Sequence, residues 1–385
     1  VSKDKKSEAG VIVAELPRKQ SKYFQYTYTK PADYTESNTR INDTLSADSV
    51  NKVVFKTSDG SAIYNTKDNS SVNITADFIG NSASLSSMIS NRGFIGNISG
   101  NFMGNFGQAI YNSSNGTAII GDITGDFIGN YASGKGGAIF NNLGTIGNIT
   151  GNFIGNYVFN ANAIGGAIYN SGIIGDITGD FIGNYSSDSV GGAIFNDYDS
   201  SIGNIIGDFI GNHSKAYGGA INNSGRTAIG NITGDFIGNY ASSSNYSDYV
   251  YGGAIYNGSK DTAIIGDITG DFIGNYASVS AVNGIAKGGA IYNSSNGTAI
   301  IGDITGNFLS NYVQYLSKYS KLTLGGAVYS NANLSFTAKG KQRFFSGNYT
   351  NDQTRGKNYN ALFVQSVTDL ASAPVIAFDT TGGGA

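Results

Sequence analysis

The 385-residue chain has no cysteine, a single histidine and only 13% charged side chains. Without cysteine neither a disulfide nor a thiolate metal site can form, so stability has to come from packing and hydrogen bonding. The one histidine, His213, occupies a place that other copies of the repeat described below fill with Tyr or Phe. It therefore reads as a stacking substitute and argues against a histidine metal centre or a Ser-His triad. Glutamate is confined to Glu8, Glu15 and Glu36, ahead of the repeats. No stretch approaches the length of a transmembrane helix. The chain opens at Val1 with no Met and no apolar signal region, and from this a processed or trimmed piece of a longer precursor is expected.

Charge is unevenly placed. Residues 1–56 carry ten Lys/Arg and seven Asp/Glu, residues 57–312 carry seven and seventeen, and residues 313–385 carry seven and three. An acidic body flanked by mildly basic ends lacks the basic stripe that nucleic acid requires, so no nucleic-acid partner is expected.

What is abundant is glycine, 56 residues, and it recurs in phrase. Phe-x-x-Asn starts at Phe78, Phe102, Phe127, Phe153, Phe181, Phe209, Phe236, Phe272, Phe308 and Phe345, at spacings of 24, 25, 26, 28, 28, 27, 36, 36 and 37 residues. Gly-Gly-Ala-Ile, or a worn form of it, falls between neighbours. A period of this size without helical patterning predicts an all-β stacked solenoid, a parallel β-helix with about three short strands per coil and roughly 10–13 coils. At the spacing of paired strands, ten repeats would stand roughly 50 Å tall. Residues 1–50 are expected to form an N-terminal segment and cap, 51–350 the repeats, and 351–385 the last irregular coils. The Gly382–Ala385 end shows no closing cap, from which truncation within the solenoid is expected.

Alternation over Val72 to Phe78 assigns the faces. Ile123, Phe127 and their counterparts (Phe153, Phe181) point inward. Between them runs a column of Gly125, Gly151 and Gly179, read as a narrow waist or a bend. In Gly-Gly-Ala-Ile-Tyr-Asn the Ile is placed inside and the aromatic outside. The Asn column (Asn130, Asn156, Asn184, Asn212, Asn239, Asn275) reads as stacked amides that cap turns. An outward Asx-x-Thr-x-Asx face reads as a solvated surface. Its run of Asp180, Asp208, Asp235 and Asp271 leaves a Ca²⁺ ladder as the minor alternative, because single carboxylates supply few oxygens per ion. No cofactor is expected.

Loops between Phe-x-x-Asn and Gly-Gly-Ala are long after Asn239, Asn275 and Asn311. Because those coils are consecutive, a lateral bulge over roughly residues 240–251, 276–287 and 312–324 is expected. Tyr246, Tyr249, Tyr251, Tyr315, Lys318 and Tyr319 on it are the candidate contact residues, since tyrosines on loops over a rigid scaffold suit recognition.

Ten Phe-x-x-Asn copies interleaved with Gly-Gly-Ala-Ile over roughly residues 60–350 resemble the passenger domain of polymorphic membrane protein type autotransporters. The resemblance implies a right-handed parallel β-helix, export through a C-terminal outer-membrane barrel, display at the bacterial cell surface and an adhesive role toward a protein or glycan of a host or neighbouring cell. Two departures stand out: the chlamydial relatives bear cysteine, and no barrel sequence is present here. The alternatives are a structural spacer or surface-layer element and, last, a polysaccharide lyase or hydrolase. The enzyme would need clustered carboxylates with Arg or Lys, whereas the acids here are locked to the repeat. Gly134-Lys135-Gly136-Gly137 lacks the helix and the Lys-Ser/Thr pair of a phosphate loop.

Overall fold

A computed structural model describes residues 11–14, 24–42, 50–57, 60–66, 72–113, 117–187, 190–244, 249–258, 260–280, 283–294, 297–316, 322–338, 343–352, 356–359, 361–364 and 376–379. The architecture is an all-β solenoid of parallel strands, as the repeat predicts. One coil shows how it is built. Ile123–Thr124 and Phe127–Ile128 lie on one face, Tyr131–Lys135 and Ile139–Asn142 on a second, and Thr145–Ile146 on a third. There are thus three faces but five short strands per coil, where about three strands were expected. The extra breaks fall at Gly125 and at Gly136-Gly137.

Each strand pairs in register with the same strand of the next coil. Ile123 pairs with Ile149 and then Ile177, and Phe127 pairs with Phe153 and then Phe181. We name the faces the Phe, Tyr and Ile ladders after their recurring side chains. Counted along its pairings among the described residues, the Phe ladder passes through thirteen rungs from Thr35–Ser37 to Ile376–Asp379. Among the described residues the Ile ladder has eight strands, from Phe94–Ile95 to Thr298–Ile301.

Parallel pairing begins at Thr35, which pairs with Val53, ahead of the first clear repeat phrase. Before it, Val11–Ala14 and Phe24–Thr27 form an antiparallel pair. Tyr28 then lies against the side of the shaft, where its Oη donates to Asp77 Oδ2 at 2.7 Å.

The core is a stack of identical columns. Ile123, Ile149 and Ile177 are at most 1% exposed, and Phe127, Phe153 and Phe181 are fully buried. The Phe rings sit 4.6–4.9 Å apart from Phe78 to Phe308 with nearly parallel planes. That separation exceeds ring thickness, so the rings are offset along the stack, the arrangement their quadrupoles favour. Burying each ring contributes roughly 2–3 kcal/mol.

The glycine between Ile and Phe marks a bend, the second of the two readings above. Gly179 has φ of 151° and makes its backbone hydrogen bond upward to Ile206 O at 2.9 Å. A Cβ there would overlap the carbonyl of Gly151 in the coil below. Only glycine lets consecutive backbones approach this closely at a corner.

The Phe-x-x-Asn amides form a buried ladder. Asn156 Nδ2 donates to Asn184 Oδ1 at 3.1 Å and to Phe127 O at 2.8 Å, while its Oδ1 accepts from Asn130 N and Asn130 Nδ2, both at 3.0 Å. Among the described residues the corner amides are paired with one another and with backbone carbonyls, as burial demands. A second amide ladder was not anticipated. It comprises the Asn that closes Gly-Gly-Ala-Ile-Tyr-Asn: Asn112, Asn141, Asn170 and Asn196 link by Nδ2-to-Oδ1 bonds of 2.8–3.0 Å. These side chains are fully buried. The second ladder ties the Tyr ladder to the Ile ladder, because Asn141 Nδ2 also reaches Ile173 O at 3.1 Å.

Two stability predictions follow from the corners. Gly179→Ala should lower unfolding free energy by more than about 4 kcal/mol, the range of severe backbone conflict. Gly211→Ala, whose Cβ would meet open space at φ of 62°, should cost only about 1–2 kcal/mol. Asn156→Leu should cost about 3 kcal/mol or more, since it removes four buried hydrogen bonds and leaves the Asn130 N–H without the acceptor it has here. Urea midpoints of the three variants check this order.

Candidate recognition surface

The three long insertions lie side by side, as their consecutive placement requires, and they carry order of their own. Each begins as a rung of the Tyr ladder: Tyr240–Ser243, Tyr276–Val279 and Tyr312–Tyr315. Each then returns as a separate strand, Tyr249–Tyr251, Ile285–Lys287 and Leu322–Leu324, and these three form their own parallel sheet. Between the two layers lies a small core of Ala241, Val250, Ala277, Val279, Ala286, Val313 and Tyr315. The bulge is therefore a packed lateral lobe. The alternation in Tyr249-Val250-Tyr251, repeated as Ile285-Ala286-Lys287, was the readable signal for it. Tyr217 extends the lobe sheet by a parallel bridge to Tyr251, and Val190 bridges to Tyr217.

The candidate contact residues divide. Tyr249 is 50% exposed on the outer lobe strand. Tyr251 is half-buried and stacks on Tyr217 at 5.3 Å and on Tyr292 at 4.5 Å, so one ring is committed on both sides. Tyr315 corrects the expectation: it is fully buried in the lobe core and holds the lobe closed, so it cannot contact a partner. Its position follows from register, since it pairs with Val279 on the inward side of the rung. Tyr246, Lys318 and Tyr319 lie outside the described residues.

The aromatic after Gly-Gly-Ala-Ile also departs from expectation. It points away from the central core, yet Tyr169 and Tyr329 are 1% exposed and Phe195 is 7% exposed. Val190, Ile164 and Tyr217 pack against Tyr169 and Phe195, and lysines cap Tyr169 and Tyr329. Lys135 Nζ lies 4.3 Å above the Tyr169 ring, and Lys287 Nζ lies 4.2 Å above Tyr329 and 3.0 Å from its Oη. Both are cation–π contacts in a partly desolvated setting. Burial pushes the Tyr329 hydroxyl up to about 12 and holds the Lys287 ammonium below the usual lysine range.

The Asp run has a structural task. Asp180 Oδ1 accepts from the Asp208 backbone N–H at 2.8 Å, Asp208 from Asp235 N at 2.7 Å, and Asp235 from Asp271 N at 2.7 Å. Asn307 N and Nδ2 complete the series on Asp271. Each carboxylate thus caps an amide at the Gly bend one coil above, which offsets repulsion along the column. Among the described residues no three His, Asp or Glu side chains are grouped to hold a metal ion.

On the face of the rungs opposite the lobe core, register aligns Tyr240, Tyr276 and Tyr312 in one column and Ser242, Ser278 and Gln314 in the next. Below Tyr240 the column continues through His213 to Tyr185, with ring separations of 4.0 and 4.8 Å. These side chains, with the bare backbone of Gly211 and Gly238, line a groove of about 590 Å³. His213 is a stacked member of the column. Its Nε2 is 3.1 Å from Ser242 Oγ, and its buried Nδ1 has no hydrogen-bond partner. Desolvation first, and the nearby Lys215 second, hold its pKa down at about 3, so the imidazole is neutral.

Comparison with family models, curated proteins and solved structures gives no match to this chain.

The histidine yields a pH prediction. Its folded-state pKa lies below the ordinary 6.5, so the unfolded chain takes up the proton first. Its contribution is full above pH 6.5 and is lost as pH falls toward 3. Between pH 7 and pH 4 the native chain should lose about 3 kcal/mol more stability than His213→Tyr, read from urea unfolding across that range.

Proposed function

We propose that this chain is the passenger of a surface-displayed bacterial autotransporter and acts as an adhesin. The observation that carries the reading is the lateral lobe. Three successive insertions, which lengthen their repeats to 36, 36 and 37 residues from the 27 of the repeat before the run, build one ordered protrusion on the shaft. A spacer has no use for such a feature, and the phrase repeat supplies the resemblance to autotransporter passengers. The shaft contributes rigidity through stacked columns, and the lobe with its flanking face makes the contact. The partner is a protein or glycan on a host or neighbouring cell, and the route outward is a C-terminal outer-membrane barrel encoded downstream.

Replacing residues 244–250, 280–286 and 316–323 with the short connection that follows Asn130 leaves the shaft phrases in place. Cells displaying the shortened chain should lose most of the attachment that the full chain confers. Attachment at the full level would overturn the adhesin reading in favour of a spacer.

A further inference from the structure

The groove beside the lobe is a built site with a definite chemical bias. Among the described residues its lining contains no charged side chain, and its one imidazole is held neutral. The phenols of Tyr276 and Tyr312 are pushed up by burial, so they present O–H groups at physiological pH. No hydrogen bond within the described protein occupies the Tyr240, Tyr276 and Tyr312 hydroxyls, Ser278 Oγ or the Gln314 amide, while the buried Nδ1 of His213 stands unpartnered beside them. A neutral set of hydroxyl and amide groups, each able to donate and accept, matches a ligand dense in hydroxyls.

Other ligand classes fit poorly. A charged ligand finds no counter-charge among the described lining residues, Lys215 lying outside that lining. An extended peptide finds no free strand edge, because the rung strands pair with coils on both sides. A flat apolar ligand finds no ring faces, since the rings stack on each other at 4.8 Å and turn only their edges to the groove.

Spacing supplies the last point. Equivalent phenols recur once per rung along Tyr240, Tyr276 and Tyr312, with ring centroids 4.8 Å apart. That repeat is close to the rise of one pyranose unit in an extended glycan, so a linear chain along the shaft axis can set one sugar against each rung, successive β1,4-linked sugars turning alternate edges to the same groups. Gly211 and Gly238 leave open space where a side chain would otherwise intrude.

We propose that this groove binds a neutral, extended oligosaccharide lying along the shaft axis, one sugar per rung from Tyr185 to Tyr312. The site rests on the recognition role proposed above and names its ligand class. Phenol edges, Ser278 and the Gln314 amide hold successive sugar hydroxyls, and the lobe forms the adjoining wall through Ser244, Ser280 and Leu316.

The test is binding of the purified 385-residue chain to linear β1,4-linked oligomers of glucose, mannose and N-acetylglucosamine, one to six units long, with sialylated and sulfated oligosaccharides as charged comparators. Affinity for at least one neutral series should rise with length and level off near five units, the number of rungs lining the groove. Gln314→Ala and Ser278→Ala should each weaken it about fivefold, the worth of one neutral hydrogen bond, whereas Thr269→Ala on the Phe ladder should leave it unchanged. No binding of any neutral oligomer at millimolar concentration, binding of charged comparators only, or binding indifferent to both groove variants would overturn the assignment. Attachment of cells displaying Gln314→Ala separates the two proposals. Full attachment by the native chain alongside no glycan binding by that chain sinks the groove and leaves the adhesin reading. Glycan binding alongside attachment that survives removal of the insertions does the reverse.

Discussion

Everything in this molecule depends on in-register parallel stacking of one coil on the next. Most strands are two to four residues long, too short to hold their own conformation, and gain their hydrogen bonds only from the coil above and the coil below. Register makes like residues meet like residues. Phe lies on Phe, Asn on Asn and Gly on Gly, so each column must be self-complementary. The buried amide ladders enforce this most strictly. An apolar column tolerates small shifts, but an Asn displaced from its neighbour leaves a buried donor and a buried carbonyl unpaired, at a cost of about 1–3 kcal/mol each. The Asx column on the Phe ladder repeats the principle at the surface, with Asp208 N on Asp180 Oδ1 and Asp235 N on Asp208 Oδ1.

The same constraint decides where novelty can enter. An insertion within a face would break every column that crosses it, whereas one between the Tyr rung and the Gly-Gly corner leaves all columns intact. When three neighbouring coils carry insertions there, stacking aligns the inserted residues as well. Val250, Ala286 and Val279 then find each other and close a second small core. The alternation that directs Ala241, Ala277 and Val313 into that core turns Tyr240, Tyr276 and Tyr312 to the opposite side. Lobe and groove are two faces of one register, and the ligand chemistry of the groove follows from the residues left facing out.

Much of this was legible in the residues because a solenoid writes its three-dimensional neighbours into a one-dimensional period. The inward Ile and Phe columns, the first Asn ladder, the stacking role of His213 and the adjacency of the long insertions were all visible that way. Other features were hidden for physical reasons. The second Asn ladder is masked in the sequence by the variable aromatic beside it, although Asn141 and Asn170 recur in register down to Asn293. Tyr315 looked like a contact residue because loop tyrosines often are, but its facing is set by pairing with Val279, which local composition does not reveal. The five-strand coil was masked by the glycines, whose close backbone approach shows only when two coils are placed together. The groove was hidden because it is lined by residues from five coils, none unusual alone.

The most direct measurement of the stacked-coil account uses the absence of native cysteine. Spin labels placed at Thr124→Cys and Thr269→Cys would sit on exposed, equivalent positions of the Phe ladder, five rungs apart by the pairings that join them. The account predicts one narrow distance distribution by pulsed electron paramagnetic resonance, centred at roughly 24 Å, five times the spacing of paired strands. A broad distribution, or a narrow one well beyond about 30 Å, would mean that the coils are not stacked in this register. The lobe and the groove would then lose the alignment on which both depend.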